Sequence, residues 1–274
     1  MKRHVSTIVM IAVVLVTASM VSSQSAGAQG TAASIQEAPA IPADQIAPNI
    51  KAAVESPTRP AQDRALDNGR RPDQMLAFFG IQPGMKVGEI FAGGGYTTQL
   101  LSAAVGPEGT VYAQNPVFPP ARKQIAEAFQ ARLKYPQLKN VIAISKGFES
   151  GDVLGVPAGS LDAVVTNMNY HDLVLVGADR DKLNLAIFNA LKPGGVYGIV
   201  DHSARAGSGA DDVKLHRIDE DFVINEVEKA GFKLAAASGA LRHPEDDRTW
   251  VTNPQGAGAR RGTSDRFMLK FIKS

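Results

Sequence analysis

Side chains that can exchange protons or bind a metal collect in three short stretches near residues 170, 201 and 216. They are Tyr170, His171, Asp172, Asp201, His202 and His216. An imidazole oriented by a carboxylate can act as a general base, and imidazoles together with a carboxylate can bind a divalent metal. No His-x-x-x-His spacing supports a metal. We therefore predict a general base and no metal, with hydrogen-bonded scaffold histidines as the third interpretation.

Two of these stretches directly follow apolar runs that predict strands, at 161–166 and 196–200. In open α/β sheets, ligands bind outside the carboxyl ends of the strands, which is where these side chains would lie. We predict that His171 or His202 is the base and that Asp172 or Asp201 orients its ring. Tyr170 is assigned to the same catalytic group because it follows the same strand.

A run of three glycines, Gly93 to Gly95, follows another apolar run that ends at Glu89. A dinucleotide-binding Gly-x-Gly-x-x-Gly turn is excluded because Thr98 stands at the third glycine position counted from Gly93. A phosphate-binding P-loop is excluded because no Gly-Lys-Ser/Thr occurs. The pattern still predicts a strand, a tight turn and a helix, an arrangement in which a ligand can approach the backbone.

Strands and helices alternate along most of the chain. After a first strand before the glycines, strands are predicted at 111–113, 140–144, 161–166, 196–200, 232–237 and 266–272. Helices are predicted at 72–79, 97–105, 121–135, 180–190 and 219–230. This alternation predicts an α/β fold with a doubly wound, mostly parallel sheet. The last two strands are joined without a predicted helix and should form an antiparallel hairpin at the sheet edge.

The N-terminus has the pattern of a secretory signal peptide. Lys2 and Arg3 precede an apolar run at 7–16, and the small residues at 26–28 suit cleavage. We predict a signal peptide at 1–28, an Ala/Pro-rich linker or arm at 29–54 and a folded domain at 55–274. A retained membrane anchor is the alternative, but the apolar run is shorter than the ~20 residues that a span needs. The expected location is periplasmic or secreted.

Composition excludes several classes of function. The chain has 29 basic and 27 acidic side chains, so removal of Lys2 and Arg3 leaves 27 of each. A formally neutral chain gives no reason to expect nucleic acid as a partner. The absence of cysteine excludes disulfides and thiol chemistry. A small-molecule substrate is the expected partner, and the oligomeric state stays open.

The glycine region resembles motif I of the class I S-adenosylmethionine-dependent methyltransferases, acid-x-Gly-x-Gly-x-Gly. Glu89 stands at the acid and Phe91 replaces the first glycine. The turns at 191–195 and 230–232 and the closing hairpin are also similar to that family. The stretches 169–172, 201–202 and 215–219 resemble a narrower group of bacterial predicted methyltransferases with signal peptides. The resemblance covers roughly residue 54 to the C-terminus and implies a Rossmann-like, seven-stranded sheet.

The resemblance implies S-adenosyl-L-methionine as cofactor. Residues at the family's cofactor-binding positions are Glu89, Ala92, Gly93, Gly95, Asn115 and Asn167. Asn115 stands where an acid normally binds the ribose hydroxyls, so it lacks the charge assistance that a carboxylate gives. Phe148 lies where a residue beside the adenine is expected, and packing within its loop is an equal alternative.

The expected function is therefore S-adenosylmethionine-dependent methyl transfer to a small-molecule acceptor in the cell envelope, with a His/Asp general base. The alternative is a non-catalytic or metal-assisted small-ligand-binding protein on the same scaffold. The long connection at 241–265 is expected to form a lid, in which Trp250 either stacks on a ligand or anchors the loop. Arg70 and Arg71 could bind a carboxylate, but a solvated charged face is favoured.

Overall fold

The computed structural model describes residues 36–274, so the predicted signal peptide lies outside the described residues. Seven strands form one sheet in the order β3-β2-β1-β4-β5-β7-β6. Their bounds are β1 Lys86–Glu89, β2 Thr110–Asn115, β3 Val141–Ser145, β4 Leu161–Asn167, β5 Leu191–His202, β6 Phe232–Ala237 and β7 Arg266–Lys273. Strands β1 to β5 pair in parallel, and β7 pairs antiparallel with both β5 and β6. The predicted Rossmann-like sheet and its C-terminal antiparallel pair are confirmed.

Helices cover both faces of the sheet. They are α1 Pro48–Glu55, α2 Ala61–Arg64, α3 Asp67–Arg70, α4 Pro72–Phe79, α5 Tyr96–Val105, α6 Lys123–Leu133, α7 Tyr170–Leu175, α8 Arg180–Ala190, α9 Glu220–Lys229 and α10 Pro254–Ala257. One apolar cluster joins Ile50, Leu76 and Leu100 of α1, α4 and α5 to the sheet. The other joins α7, α8 and α9 to the opposite face. Burial on both faces explains the consecutive apolar residues within the central strands, such as Ala163 to Val165 of β4.

Helix α4 shows how local sequence sets the bounds of an element. Pro72 occupies the first helical position, where its missing N–H costs nothing. Gly80 ends the helix with φ of 75°, a left-handed conformation that glycine adopts without strain. The structure differs from the predictions at the ends of other elements and in five short helices that were not predicted, α1, α2, α3, α7 and α10. Strand β5 begins at Leu191 rather than at 196, because Leu191 still pairs with Leu161 across a register shift.

Residues 36–54 are packed on the domain, so the prediction of a linker or loose arm is wrong for this stretch. Ile46, Ile50 and Ala53 are buried in the core. The Asn49 side chain donates to the backbone oxygen of Ala104 in α5 at 3.0 Å, and the N–H of Ala38 donates to Ala237 in β6 at 2.8 Å. The many alanines and prolines of this stretch hid the spacing of its apolar residues. The short helix α1 nevertheless has one apolar side, which includes Ile50 and Ala53.

The connection between β6 and β7 is built around a buried ion pair. Arg217 donates to Asp246 at 2.8 Å, and the indole N–H of Trp250 donates to the same carboxylate at 2.7 Å. The Arg217 guanidinium also lies 4.8 Å from the centroid of the Trp250 ring. Of the two functions considered for Trp250, the structure therefore favours anchoring the loop. The connection also contains α10, where no helix was predicted.

Among the described residues, the longest apolar helices are too short to cross a bilayer.

Candidate active site

A cavity of about 670 Å³ opens at the carboxyl ends of β4 and β5. His171, Asp172, His202 and His216 line it, together with residues of the α2–α3 region and of the β6–β7 connection. That connection therefore closes one side of the cavity, as expected of a lid. The three stretches near residues 170, 201 and 216, which the sequence predicted to carry the catalytic residues, thus meet at this cavity.

A chain of hydrogen bonds runs from Asp201 through His171 to His216. Oδ1 of Asp201 accepts from Nδ1 of His171 at 2.7 Å, because a carboxylate can only accept. Nε2 of His171 lies 3.1 Å from Nδ1 of His216. Asp201 and His171 are almost completely buried, while His216 is partly exposed. His216 is therefore the end of the chain that meets the cavity.

Asp201 is held in place from several directions. Its Oδ2 accepts the backbone N–H of His171 at 2.8 Å, in the first turn of α7, where helical N–H groups lack partners. Its Oδ1 also accepts the N–H of His202 at 2.7 Å. The predicted orienting acid is thus Asp201. Asp172 does not take that place, since its Oδ1 lies 3.7 Å from Nε2 of His171, beyond a hydrogen bond.

His216 reaches the cavity because the chain returns to the end of β5 just after it. The backbone of Ile218 bridges to Ser203, with its N–H donating to His202 at 3.0 Å. His216 itself has φ of 55°, a left-handed conformation that is uncommon for a residue with a side chain. Such strain is found often at functional sites.

The electrostatic environments of the two coupled histidines differ. Burial opposes a charge on His171, but the Asp201 carboxylate outweighs it and Asp172 adds to it, so the pKa of His171 is raised. Burial and the neighbouring His171 lower the pKa of His216, and Asp172 opposes this shift. A proton added to the pair is therefore more stable on His171 than on His216.

One carboxylate oxygen of Asp172 has an unsatisfied hydrogen-bonding capacity. Its Oδ1 is buried without a hydrogen-bond partner among the described residues, and it lies 3.6 Å from Nδ1 of His216. His171, Asp172 and His216 offer three possible metal ligands within 4.8 Å of one another. A point equidistant from the three atoms lies about 2.0 Å from each, the distance at which zinc binds nitrogen and oxygen.

His202 lines the cavity as a neutral ring. Its Nδ1 lies 2.8 Å from the Ser264 hydroxyl. Burial, with Arg266 as the next cause, lowers the pKa of His202 well below its usual value. Its ring centre is 6.1 Å from that of His171, and no carboxylate of the described part of the chain orients it. Of the two predicted bases, His171 has the supporting geometry.

Tyr170, which was predicted to belong to the catalytic group, does not line the cavity. Its side chain is completely buried on the core side of α7. The hydroxyl donates to Glu226 of α9 at 3.0 Å and accepts from Asn184 of α8 at 2.9 Å. Because successive helical residues point in different directions, His171 faces the cavity while Tyr170 faces the core.

The glycine turn has the conformation that the sequence predicted. Gly93 and Gly95 have φ of 58° and 85°, and no atom lies within 4 Å of the position that a Cβ on Gly93 would take. Asn115 holds this turn: its Oδ1 accepts the N–H of Gly93 at 2.8 Å and its Nδ2 donates to the oxygen of Gly93 at 3.0 Å. One N–H and one lone pair of the amide remain for a ligand.

Glu89 supports the turn from below. Its carboxylate is buried and accepts from the Thr98 hydroxyl of α5 at 2.5 Å. Burial raises the pKa of Glu89 to about 7, although Thr98 and Arg132 oppose the shift. Ala92 adjoins β2, since its N–H donates to the oxygen of Gln114 at 2.8 Å. The acid therefore fixes the start of α5.

Phe91, in place of the first glycine, starts an aromatic cluster. It has φ of 58°, and its ring packs on Phe148 at 5.3 Å and on Phe118 at 5.9 Å between centroids. The Gln114 side chain accepts the N–H of Phe91 at 3.0 Å. Phe148 therefore packs within a cluster, which was the alternative to a place beside an adenine.

Two asparagines after β4 connect the glycine turn to the cavity. Nδ2 of Asn167 donates to the Thr97 hydroxyl of α5 at 2.9 Å. Nδ2 of Asn169 donates to the backbone oxygen of Phe91 at 2.8 Å, and Asn169 also lines the cavity. None of the predicted cofactor-binding residues lines the cavity itself. The turn and the cavity are thus neighbouring regions.

Arg70 lines the cavity with its guanidinium over the Tyr96 ring, 4.4 Å from the centroid. The favoured interpretation of a solvated face is therefore wrong for Arg70. Arg266, the first residue of β7, is a cavity residue that the sequence gave no sign of. It pairs with His202 in the sheet, and only that long-range pairing brings it here.

Neither a protein-family model nor a curated protein matches the chain. Solved structures do. An S-adenosylmethionine-dependent methyltransferase from Aquifex aeolicus superposes with a TM-score of 0.51 at 19% identity, covering 79% of this chain and 99% of that one. The fold is that of the class I methyltransferases.

Two further structures show how widely this fold is used. An arsenic(III) S-adenosylmethionine methyltransferase from Chlamydomonas reinhardtii has a TM-score of 0.51 at 18% identity, covering 82% of this chain and 73% of that one. The [4+2]-cyclase SpnF has a TM-score of 0.51 at 14% identity, covering 78% of this chain and 82% of that one. At these identities the likeness shows the fold, and the reaction must be argued from the site.

Proposed function

We propose that the protein transfers a methyl group from S-adenosylmethionine to a small-molecule acceptor in the cell envelope. The observation that carries the proposal is the Asp201–His171–His216 chain at the cavity wall, beside a glycine turn of methyltransferase type. The envelope location rests on the signal-peptide pattern of residues 1–28.

The glycine turn fits the cofactor. The open space beside Gly93 is the close backbone approach that a bound nucleoside derivative needs. Gly93 and Gly95 would border it, with the free N–H and lone pair of Asn115 directed to the ribose and Asn167 at the far side. When bound, S-adenosylmethionine supplies an electrophilic methyl group. Asn169 touches both the turn and the cavity, so an acceptor in the cavity would lie next to that group.

The histidine chain supplies a route for the acceptor's proton. Nε2 of His216 would take the proton while Nδ1 of His216 passes its own to Nε2 of His171. The resulting charge rests on His171, where the carboxylates of Asp201 and Asp172 stabilise it. This explains why the more buried imidazole is the one with two acidic neighbours.

The test measures release of S-adenosylhomocysteine from the protein incubated with S-adenosylmethionine and a panel of phenols, amines and carboxylic acids. His171→Gln is expected to bind the cofactor normally and to release product at least 100-fold more slowly. His243→Gln is the matched control, since this partly exposed histidine lies outside the cavity. Equal turnover in His171→Gln and wild type would refute the proposed proton route through His216 and His171.

A second candidate is a metal-assisted ligand-binding protein, favoured by the unpartnered Oδ1 of Asp172. His171 and His216 would complete the ligand set, and Asp201 would orient His171 from behind, as carboxylates do for zinc-bound histidines. Titration with Co²⁺ separates the two candidates. An absorption spectrum typical of cobalt with nitrogen ligands, lost in Asp172→Asn, would favour the metal; no spectral change would favour the base.

A further inference from the structure

Four arginines from distant parts of the chain line the same cavity. They are Arg70 at the end of α3, Arg122 before α6, Arg261 in the β6–β7 connection and Arg266 at the start of β7. Within residues 36–274, the one carboxylate on the cavity wall is that of Asp172, which lies beside His171 and His216. The wall is therefore strongly positive in a chain whose described part has equal numbers of basic and acidic side chains.

Most other arginines of the protein have a carboxylate partner. Arg59, Arg180 and Arg217, for example, pair with Asp67, Glu226 and Asp246 at 2.7 to 2.8 Å. Within residues 36–274, six arginines have no carboxylate oxygen within 4.0 Å, and four of these six line the cavity, the others being Arg64 and Arg260. Unpaired arginines are thus concentrated where a ligand would bind.

Arg266 is the clearest of the four because its side chain is 2% exposed. Its Nε donates to the Ser264 hydroxyl at 3.1 Å, and its Nη1 donates to the backbone oxygen of Gly69. These partners position the guanidinium but are neutral, and the carboxylates of Asp265 and Asp246 act on it only from beyond 4.0 Å. Burial, with Arg70 next, lowers the pKa of Arg266 to about 10. Burying a charge that no carboxylate contacts is unfavourable, and a bound anion would offset that cost.

Arg70 and Arg261 complete the cationic wall. The described residues give neither guanidinium a hydrogen-bonded acceptor, and Arg70 is fixed instead by its contact with Tyr96. Burial and the nearby Arg261 lower the pKa of Arg70, so the two charges lie close enough to repel. The planar fork of arginine matches the two oxygens of a carboxylate or phosphate.

We propose that the methyl acceptor is a small molecule with an oxyanion group, a carboxylate or a phosphate, held by Arg266, Arg70 and Arg261. The inference rests on the proposed function, since it names the acceptor class of that site. With the anionic group at the arginines, the remainder of the molecule extends toward His216 on the same cavity wall.

The test uses thermal melting of the full protein with inorganic phosphate, with benzoate and with uncharged benzamide. Phosphate or benzoate is expected to raise the melting temperature saturably, and benzamide is not; the better of the two anions identifies the group. Arg70→Gln and Arg261→Gln should each weaken the apparent affinity by about tenfold or more. Arg64→Gln is the matched control, as an unpaired exposed arginine outside the cavity. The side chains of Arg70 and Arg261 have no hydrogen bond to any described residue, so both variants should fold.

Two results would overturn the inference: no saturable stabilisation by either anion, or equal stabilisation of wild type and both variants. Competition between the anions and saturating S-adenosylmethionine would also overturn it, because the arginines would then hold the carboxylate of the cofactor. Binding of S-adenosylmethionine to Arg261→Gln is measured separately. Normal cofactor binding without anion binding in the wild type would refute this inference and leave the proposed function intact.

Discussion

The buried carboxyl group of Glu89 makes a quantitative prediction about stability. It lies between β1 and α5 with 3% exposure, and its one close hydrogen bond comes from Thr98. Burial raises its pKa from 4.5 to about 7. Between these two pH values the folded protein keeps a proton on Glu89 that the unfolded chain has released. Stability is therefore lost as the pH rises through this window and is constant above it.

The magnitude follows from the shift. A difference of one pKa unit corresponds to about 1.4 kcal/mol, so the shift of Glu89 is worth about 3 kcal/mol between pH 4.5 and pH 7. Glu89→Gln replaces the acid with a neutral group of the same shape that can still accept from Thr98. The variant should thus lack this contribution at every pH, and its stability relative to wild type should rise with pH.

Urea denaturation at pH 5 and pH 8 measures the effect. The free energy of unfolding of Glu89→Gln minus that of wild type is expected to be about 2 to 3 kcal/mol larger at pH 8 than at pH 5. Because both proteins contain the other titrating groups, subtracting the wild-type free energy of unfolding from that of the variant cancels the pH dependence of those groups. Glu108→Gln is the control, because Glu108 is exposed and its replacement should leave the difference near zero. A difference for Glu89→Gln that does not change with pH would refute the reasoning.

Three further substitutions test other parts of the site. Asp201→Asn should lower the free energy of unfolding by about 2 kcal/mol, since an amide cannot accept both bonds from His171; urea denaturation measures this. Phe91→Gly relieves a left-handed residue but opens the aromatic cluster, so we expect a net loss of about 2 to 3 kcal/mol in the same assay. Trp250→Ala should speed amide hydrogen exchange at 243–252, because Asp246 loses its indole donor.

The fold was largely predictable because its signals are local. Apolar runs bounded by glycine and proline gave seven strands, and the bounds of α4 followed from Pro72 and Gly80. The alternation of strands and helices then implied the parallel sheet. What could not be read locally was the packing of residues 36–54, because Ile46 and Ile50 become core residues only through contact with α4 and α5.

The site was predictable in part for the same reason. Strand ends placed His171, Asp201 and His202 together, since parallel strands end at one edge. The choice between Asp172 and Asp201 as orienting acid depended on the direction of side chains on a helix of six residues, which spacing alone does not fix. Arg266 was not predicted as a cavity residue. It reaches the cavity only because the antiparallel pairing of β5 and β7 places it opposite His202, far away in the sequence.

The central claim is that this methyltransferase fold binds S-adenosylmethionine, and calorimetric titration of the purified protein tests it most directly. The account predicts saturable micromolar binding of S-adenosylmethionine or S-adenosylhomocysteine. It also predicts that Gly93→Leu abolishes binding, because the side chain would fill the open space beside the turn. A cooperative thermal unfolding transition would show that the variant is folded, although leucine in the left-handed conformation of Gly93 should lower its melting temperature. No heat and no thermal stabilisation of the wild type at millimolar ligand would contradict the account.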